Sequence, residues 1–218
     1  MIKKTATLRT RASDILQSEG LIRLIQRFIE FYFVQYGNYY LYENRIDELN
    51  EADFSPGTPD IAVRIIGNHE EADELASTAG VDIRLRFTNA SNCLDSGAIA
   101  TCILVNGAIA HLGWLALDDT AQKAISNLPQ EVRFSDGEAF AGGGLTLPEY
   151  RGNGLLSYGS YIRLKLLRER GVKALRYAVS EQNNVAQKGL AKFSPRLYAR
   201  ARYIKVLWWK SWKEIPVS

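Results

Sequence analysis

The 218-residue chain has few cysteines and no long apolar run. Its two cysteines, Cys93 and Cys102, have no His or Cys partner at metal-ligand spacing, so we expect neither a disulfide framework nor a bound metal. No apolar run reaches the roughly 18 residues that a membrane-spanning helix needs. The basic, Ser- and Thr-rich N-terminus lacks the apolar core of a secretory signal. These absences predict a reduced, cytoplasmic protein with no transmembrane segment.

The net charge of +3 is too small to indicate a dedicated nucleic-acid-binding protein. Charge is nevertheless uneven, because no acidic residue lies between Glu181 and Glu214. The basic residues of this segment are Lys188, Lys192, Arg196, Arg200, Arg202, Lys205, Lys210 and Lys213, interleaved with Trp208, Trp209 and Trp212. Such a segment could bind RNA, an acidic carrier or a membrane surface. We favour a solvated edge strand whose lysines oppose aggregation and whose tryptophans pack inward.

The first 55 residues are expected to form an N-terminal extension with one helix and one strand. Apolar residues recur at helical spacing over 21–34, which predicts an amphipathic helix that packs on the core or on a second copy in a homodimer. A strand is expected over 38–44. The Pro- and Gly-containing loop at 51–60 marks a boundary near residue 55, after which residues 56–218 form the main domain.

The main domain is expected to be α/β, with antiparallel hairpins first and one βαβ unit late in the chain. The two apolar strands of 98–117 meet at Asn106-Gly107, a pair suited to a type I′ turn. Further strands are expected over 60–67, 137–147, 172–180 and 203–212. The expected helical segments are one capped by Asn68, part of 81–95, one from Leu155, and a short one capped by Asn183 or Asn184. The apolar face of the helix from Leu155 is expected to carry Leu155, Tyr158, Ile162 and Leu166. Gly142 to Gly144 predict a bulge or a close approach in the strand at 137–147.

The sequence LPEYRGNGLLSYG at 147–159 is the most informative stretch. A strand, a turn with Gly152 and Gly154, and a helix from Leu155 would direct several backbone N–H groups at one point, which predicts an anion site for a phosphate group. Arg151 adds a permanent cation. A P-loop is disfavoured because two leucines follow the last glycine, and a dinucleotide fingerprint because Ser157 occupies the place of its third glycine.

The residues LTLPEYRGNGLL resemble motif A of the GNAT superfamily of acyl-CoA-dependent N-acyltransferases, whose consensus is Arg or Gln, two residues, Gly, one residue, then Gly or Ala. Arg151, Gly152, Asn153, Gly154 and Leu155 agree with it, whereas Leu156 stands at the place of the small sixth residue. The resemblance covers about residues 60 to 210 and is most specific over 142–159. It implies a mixed, mostly antiparallel central sheet flanked by helices, with a late βαβ cofactor-binding unit.

The resemblance also implies an acetyl-CoA-dependent N-acetyltransferase, in which a primary amine attacks the thioester directly in a ternary complex. By position, Leu145, Thr146 and Leu147 would hold the pantetheine arm, and Asn183 would contact it from the next strand. The pyrophosphate would be held by the N–H groups of Arg151, Gly152, Asn153, Gly154, Leu155, Leu156 and Ser157. The acceptor, a small-molecule or protein amine, is left open among sugar amines, polyamines, small antibiotics, amino acids and protein amines.

Catalysis requires a base for the amine and a proton for the leaving thiolate. Glu138 is the first candidate base and His111 the second. In the family a tyrosine seven places after the motif's asparagine often protonates the thiolate, but Leu190 occupies that position. Tyr198 or Tyr203 could substitute, or the thiolate could leave with the help of solvent. A non-catalytic acyl-CoA-binding or regulatory module is therefore the alternative function. A nucleic-acid- or membrane-binding protein that uses the basic C-terminal segment is a third hypothesis.

Overall fold

The computed structural model describes residues 34–46, 49–87 and 89–217. The amphipathic helix expected over 21–34 lies outside these residues, apart from its last position. Contacts divide the chain into a larger unit, with residues 39–200 and 215–218, and a smaller unit that contains the residues before 39 and residues 201–214. The domain boundary expected near residue 55 stays a prediction.

The strands form one mixed, mostly antiparallel sheet with helices packed on it, as expected. The strands are β1 (Val34–Arg45), β2 (Ile61–Ile66), β3 (Ile99–Val105), β4 (Ala108–Ala116), β5 (Glu138–Thr146), β6 (Ala174–Ser180), β7 (Arg196–Val206) and β8 (Trp209–Pro216). Their order in the sheet is β2-β3-β4-β5-β6-β1-β7-β8. Strands β5 and β6 pair in parallel, which makes them the two strands of the expected βαβ unit, whereas β2–β3, β3–β4, β4–β5 and β1–β6 are antiparallel.

Six α-helices connect the strands of the described chain. They are α1 (His69–Ala79), α2 (Ile83–Arg86), α3 (Ala90–Asp95), α4 (Asp119–Ile125), α5 (Leu155–Glu169) and α6 (Asn184–Ala191). The Asn68 side chain caps α1 and the Asn183 side chain caps α6, each by accepting a backbone N–H, which confirms both predicted caps. Asn106 and Gly107 have φ values of 51° and 76°, as the predicted type I′ turn requires.

The structure corrects three expectations about individual elements. Helix α4, capped by Asp118, was not predicted. The prediction of a single strand over 203–212 is wrong. Two strands, β7 and β8, lie there, and they are joined by a turn at Leu207, whose φ is 56°. In the smaller unit, Trp208 and Trp209 are 87% and 55% exposed, contrary to the expected inward packing.

The buried face of α5 also differs from the predicted one. Its most buried side chains include Leu155, Arg163 and Leu167, whereas Tyr158 and Ile162 are only half-buried. Positions 155, 159, 163 and 167 recur at intervals of four, so the face that meets the sheet carries an arginine and a glycine between two leucines. The helix that follows the turn therefore buries a cation in the larger unit.

The core of the larger unit lies on both faces of the sheet. Leu112 and Trp114 of β4 pack with Phe140 in one cluster, whereas Leu115 packs with Leu164 in another. Because successive side chains of a strand point to opposite faces, β4 contributes to both clusters. Both cysteines are buried and unpaired, as expected.

Candidate functional site

Strands β5 and β6 separate at the middle of the sheet. They pair only between Glu138–Ala141 and Ala174–Tyr177, so the backbone edges of both strands beyond Ala141 and Tyr177 do not pair with each other. Gly143, with a φ of 61°, and a register shift between β5 and β4 form the irregularity that the three glycines predicted. The result is a cleft between two parallel strands whose facing edges do not pair with each other.

A cavity of about 260 Å³ fills this cleft. Its walls come from β5, β6, α5 and α6, with Asn44 of β1. The lining residues are Asn44, Ala141, Gly142, Gly143, Gly144, Leu156, Ser160, Arg163, Leu175, Tyr177, Ala178, Val179, Ser180, Asn183, Ala186 and Leu190. This lining contains one cationic side chain and no Asp or Glu.

The turn between β5 and α5 lies beside the cleft. Gly152 and Gly154 have φ values of 85° and 76°, and Gly154 begins α5 without a side-chain cap. Within the described chain, no hydrogen-bond acceptor receives the amide N–H groups of residues 152–157. Unsatisfied N–H groups at a helix N-terminus bind anions, so the backbone here suits the phosphate group that the sequence predicted.

The predicted cofactor residues fall around this cleft with some differences. Arg151 is exposed, and its Nε donates a hydrogen bond to the Thr146 carbonyl oxygen at 3.2 Å. Leu145 and Thr146 lie on the divergent part of β5, and Leu147 follows it. The cavity itself is lined by Gly142 to Gly144 and not by 145–147. Asn183 lines the cavity, and its Oδ1 accepts the Ala186 N–H at 3.0 Å.

Leu156, the departure from the motif consensus, is accommodated by Gly189 of α6. A Cβ at Gly189 would lie 3.1 Å from one Leu156 methyl, which is a tight contact, whereas a Cβ at Gly144 would lie at an ordinary 3.8 Å from the other. The bulk of Leu156 therefore occupies space that a side chain at position 189 would otherwise take. Leu156 narrows the cleft without closing it, since the cavity extends past it to Arg163.

The structure does not place Glu138, the first candidate base, in the cleft. It begins β5, about 17 Å of strand from Gly143. Its Oε1 accepts from Arg176 Nη2 at 2.7 Å and its Oε2 from the Arg133 amide at 2.9 Å. Burial alone would raise the pKa of Glu138, but these bonds outweigh it and the pKa lies below the ordinary value. A carboxylate held in this way is a poor base, and it does not line the cavity.

Tyr198 and His111 do not line the cavity either. The Tyr198 hydroxyl accepts from Gln130 Nε2 at 2.8 Å, and the Arg176 guanidinium lies over the Tyr198 ring, at the Glu138 end of the sheet. His111 Nδ1 lies 2.8 Å from Thr146 Oγ1, and the ring is fully buried against Gly159. Burial, with the nearby Arg163 charge, lowers the pKa of His111 to about 3, so the imidazole is neutral at pH 7.

Two residues of the cleft were missed as site candidates, Arg163 and Tyr177. Tyr177 stands where β5 and β6 separate, and its hydroxyl donates to Asn44 Oδ1 at 3.4 Å. Burial raises the pKa of Tyr177, which keeps the phenol protonated. The sequence predicts a strand over 172–180, and only the separation of two strands distant in sequence brings its Tyr177 to a cavity.

Arg163 is 4% exposed and lines the cavity from α5. Its Nη2 donates to Ser160 Oγ at 2.9 Å, whereas its buried Nε and Nη1 have no hydrogen-bond partner in the described chain. Burial lowers the pKa of Arg163 to about 10, so the guanidinium still carries its charge at pH 7. The interval of four from Leu155 through Gly159 was the sequence signal that could have placed this arginine on the buried face.

Comparisons with known proteins agree with this architecture. No protein-family model and no curated protein matches the chain. Among solved structures, a GNAT-family acetyltransferase from Colwellia psychrerythraea is similar at 16% identity, with a TM-score of 0.50 over 84% of this chain and 61% of that one. A conserved protein of unknown function from Staphylococcus epidermidis is similar at 11% identity, with a TM-score of 0.51 over 84% of this chain and 66% of that one.

These similarities show the fold. The chain has the GNAT fold that the motif predicted, and it spans less than two thirds of the length of each of the two structures. Among the described residues, no helix is long and apolar enough to cross a bilayer.

Proposed function

We propose that this chain is an acyl-CoA-dependent N-acyltransferase, with acetyl-CoA as the donor that the sequence predicts. The observation that supports it most is that the cleft and the turn lie side by side. Strands β5 and β6 separate around the cavity, and the amides of residues 152–157 that follow β5 have no acceptor among the described residues. A thioester of CoA has the matching chemistry, a phosphate-bearing end joined to an amide-containing arm. The GNAT fold supports the same assignment.

In this proposal the amides of residues 152–157 hold the pyrophosphate, and the free edge of β5 holds the amide-containing arm. Asn183 contacts the arm from α6. The acyl end then lies near Gly142 to Gly144, where a bulged strand without side chains leaves room for it and for the amine. Fixing both reactants in this way converts a bimolecular reaction into an oriented one.

The reaction proposed is direct transfer of the acyl group. The amine nitrogen bonds to the thioester carbonyl carbon, the carbon–sulfur bond breaks, the nitrogen loses one proton and the sulfur gains one. Tyr177 lines the cavity, but burial raises its pKa and makes the phenol a weak acid, and its hydroxyl already donates to Asn44, so we assign the sulfur proton to solvent water. The described lining contains no carboxylate or imidazole, so we assign the amine proton to solvent water.

A non-catalytic acyl-CoA-binding module is the second candidate. It is favoured by Leu190, which brings an apolar side chain to the cavity at the position of the usual tyrosine. It is also favoured by the positions of Glu138, His111 and Tyr198 outside the cleft. Both candidates require acyl-CoA binding, and they differ only in turnover.

The deciding experiment measures release of free thiol from acetyl-CoA in the presence of a panel of primary amines: an amino sugar, a polyamine, an amino acid and a lysine-containing peptide. The acyltransferase should release thiol with at least one amine, and the rate should rise with pH as a larger fraction of the amine, with a reference pKa of about 10.4, becomes neutral. Binding of acetyl-CoA without thiol release with any amine would favour the non-catalytic module.

A further inference from the structure

Arg163 presents an unusual combination of burial, charge and missing partners. Its side chain is almost fully enclosed, its Nε and Nη1 lack acceptors, and the described cavity lining contains no acidic residue. Moving an unpaired charge out of water is costly, so buried charges in proteins are normally paired. Among the described residues its hydrogen-bond partner is Ser160 Oγ, which is neutral and cannot balance the charge.

The surroundings keep the guanidinium in this position. A Cβ at Gly113 of β4 would overlap the Arg163 guanidinium, so the glycine makes room for it against the sheet. The neighbouring titratable group, His111, is neutral and offers no negative charge. The residues that β5 contributes to the same cavity are Ala141 and the glycines at 142–144. An anion that enters the cavity from the cleft therefore has a charged partner and no competing carboxylate.

We propose that Arg163 recognises a carboxylate at the end of the acyl group, so that the preferred donors are CoA thioesters of dicarboxylic acids. This inference rests on the proposed function, because it takes the acyl end to lie near Gly142 to Gly144. A carboxylate can accept two parallel hydrogen bonds from a guanidinium and balances its charge, which a neutral acyl chain cannot do.

The position of Arg163 disfavours two other anions. The pyrophosphate would sit at the start of α5, and Arg163 lies eight residues further along that helix, or about 12 Å away. The thioester carbonyl is neutral in the bound donor, so it leaves the buried charge unbalanced. A carboxylate carried by the acceptor amine would also satisfy Arg163, and the experiment below separates it from a carboxylate on the donor.

The experiment is a calorimetric titration of the full chain with malonyl-CoA and with isovaleryl-CoA. The acyl groups of these two thioesters have the same number and branching of non-hydrogen atoms, but only the first carries a charge at its end. The proposal predicts that malonyl-CoA binds about tenfold or more tightly than isovaleryl-CoA, as expected for a hydrogen-bonded charged pair. The ratio should fall to about one in Arg163→Met and should persist in Lys165→Met, which removes an exposed cation from the same helix.

Three results would overturn the proposal. Equal affinities of the wild type for the two thioesters would show that no charge in the cavity recognises the end of the acyl group, as expected if Arg163 binds the acceptor instead. The proposed acyl-CoA site would not be contradicted by that result. A ratio that persists in Arg163→Met would assign recognition to another group. Failure of both thioesters and of CoA to bind would overturn this inference and the proposed function together. Should Arg163→Met fail to fold, Gly113→Ala, which displaces the guanidinium, provides the second variant.

Discussion

The two ends of β5 handle buried charge in opposite ways. At the Glu138 end, β5 pairs with β6, and the buried Arg176 binds two carboxylates, Glu138 and Glu43, at 2.7 Å each. At the Gly143 end, the same two strands separate, and the buried Arg163 has no carboxylate partner among the described residues. Among the described residues, the charge of Arg176 is balanced by two carboxylates, although its Nε has no hydrogen-bond partner, whereas the charge of Arg163 has no carboxylate to balance it.

This difference teaches which charges stabilise the fold and which serve a ligand. A carboxylate paired in this way is a poor candidate for chemistry, because the pKa of Glu138 is lowered and both of its oxygens accept hydrogen bonds. Unsatisfied groups lower the stability of the free protein and leave it ready for a partner. Glu138 therefore belongs to the structure and Arg163 to the site, although both are buried and charged.

The largest expected effect is on stability, at the Glu138 end. Arg176→Met leaves Glu138 and Glu43 buried without their shared partner, and removing one member of a buried ion pair costs about 3 to 5 kcal/mol. Denaturant unfolding measures this loss. Arg133→Met is the control, because Arg133 contacts the same carboxylate but is exposed, and exposed pairs contribute about 0 to 1 kcal/mol. Similar losses in both variants would contradict the contrast between the ends.

The second prediction is that the two ends titrate in different pH ranges. His111 binds no proton in the folded state until about pH 3, whereas the unfolded chain binds one near 6.5, so the free energy of unfolding should fall as pH decreases below 6.5. The slope should approach about 1.4 kcal/mol per pH unit. Glu138, whose pKa is below 4.5 in the folded state, contributes a further loss only as pH decreases below 4.5.

Unfolding curves of His111→Leu and the wild type between pH 7 and 3 test this assignment. In His111→Leu, the fall in the free energy of unfolding that His111 causes between pH 6.5 and 4.5 should be absent. The further fall below pH 4.5, which Glu138 causes, should remain. An unchanged slope in the upper range would mean that His111 is not the group responsible.

The smallest change in the free energy of unfolding is expected at the Gly143 end, where substitution of the buried arginine should not destabilise the fold. Arg163→Met removes a buried charge that has no carboxylate partner, so the free energy of unfolding should stay the same or rise by about 1 kcal/mol. The same denaturant measurement serves, with Lys165→Met as the exposed control. A loss as large as that of Arg176→Met would show that the folded chain itself balances the Arg163 charge.

Much of the fold could be predicted from the sequence because the signals are local. The turns require positive φ values at Asn106, Gly107, Gly152 and Gly154, which asparagine and glycine adopt readily. Two helices follow residues that can cap them, Asn68 and Asn183. The resemblance of residues 147–159 to the GNAT motif predicted which fold these elements form. Two strands at the C-terminus were read as one because the turn at Leu207 carries no glycine, proline or asparagine.

The candidate site was only half predictable, because its inner part depends on contacts between distant segments. Glu138 looked available until Arg176, from a strand 38 residues later, was placed beside it. The strand over 172–180 was predicted, but only the separation of β5 from β6 brings Tyr177 to a cavity. Arg163 is not on the predicted apolar face of its helix, and only its packing against Gly113 shows that it is buried.

The most direct test of the central claim, that the turn and the cleft bind acyl-CoA, is calorimetric titration with CoA and acetyl-CoA of the wild type, Gly154→Glu and Gly171→Glu. Both glycines have positive φ, at 76° and 72°, so both variants carry the same strain and added charge, but only Gly154 lies at the proposed pyrophosphate site. The account predicts binding by the wild type and Gly171→Glu and its loss in Gly154→Glu. Undiminished binding by Gly154→Glu, or none by the wild type, would contradict it.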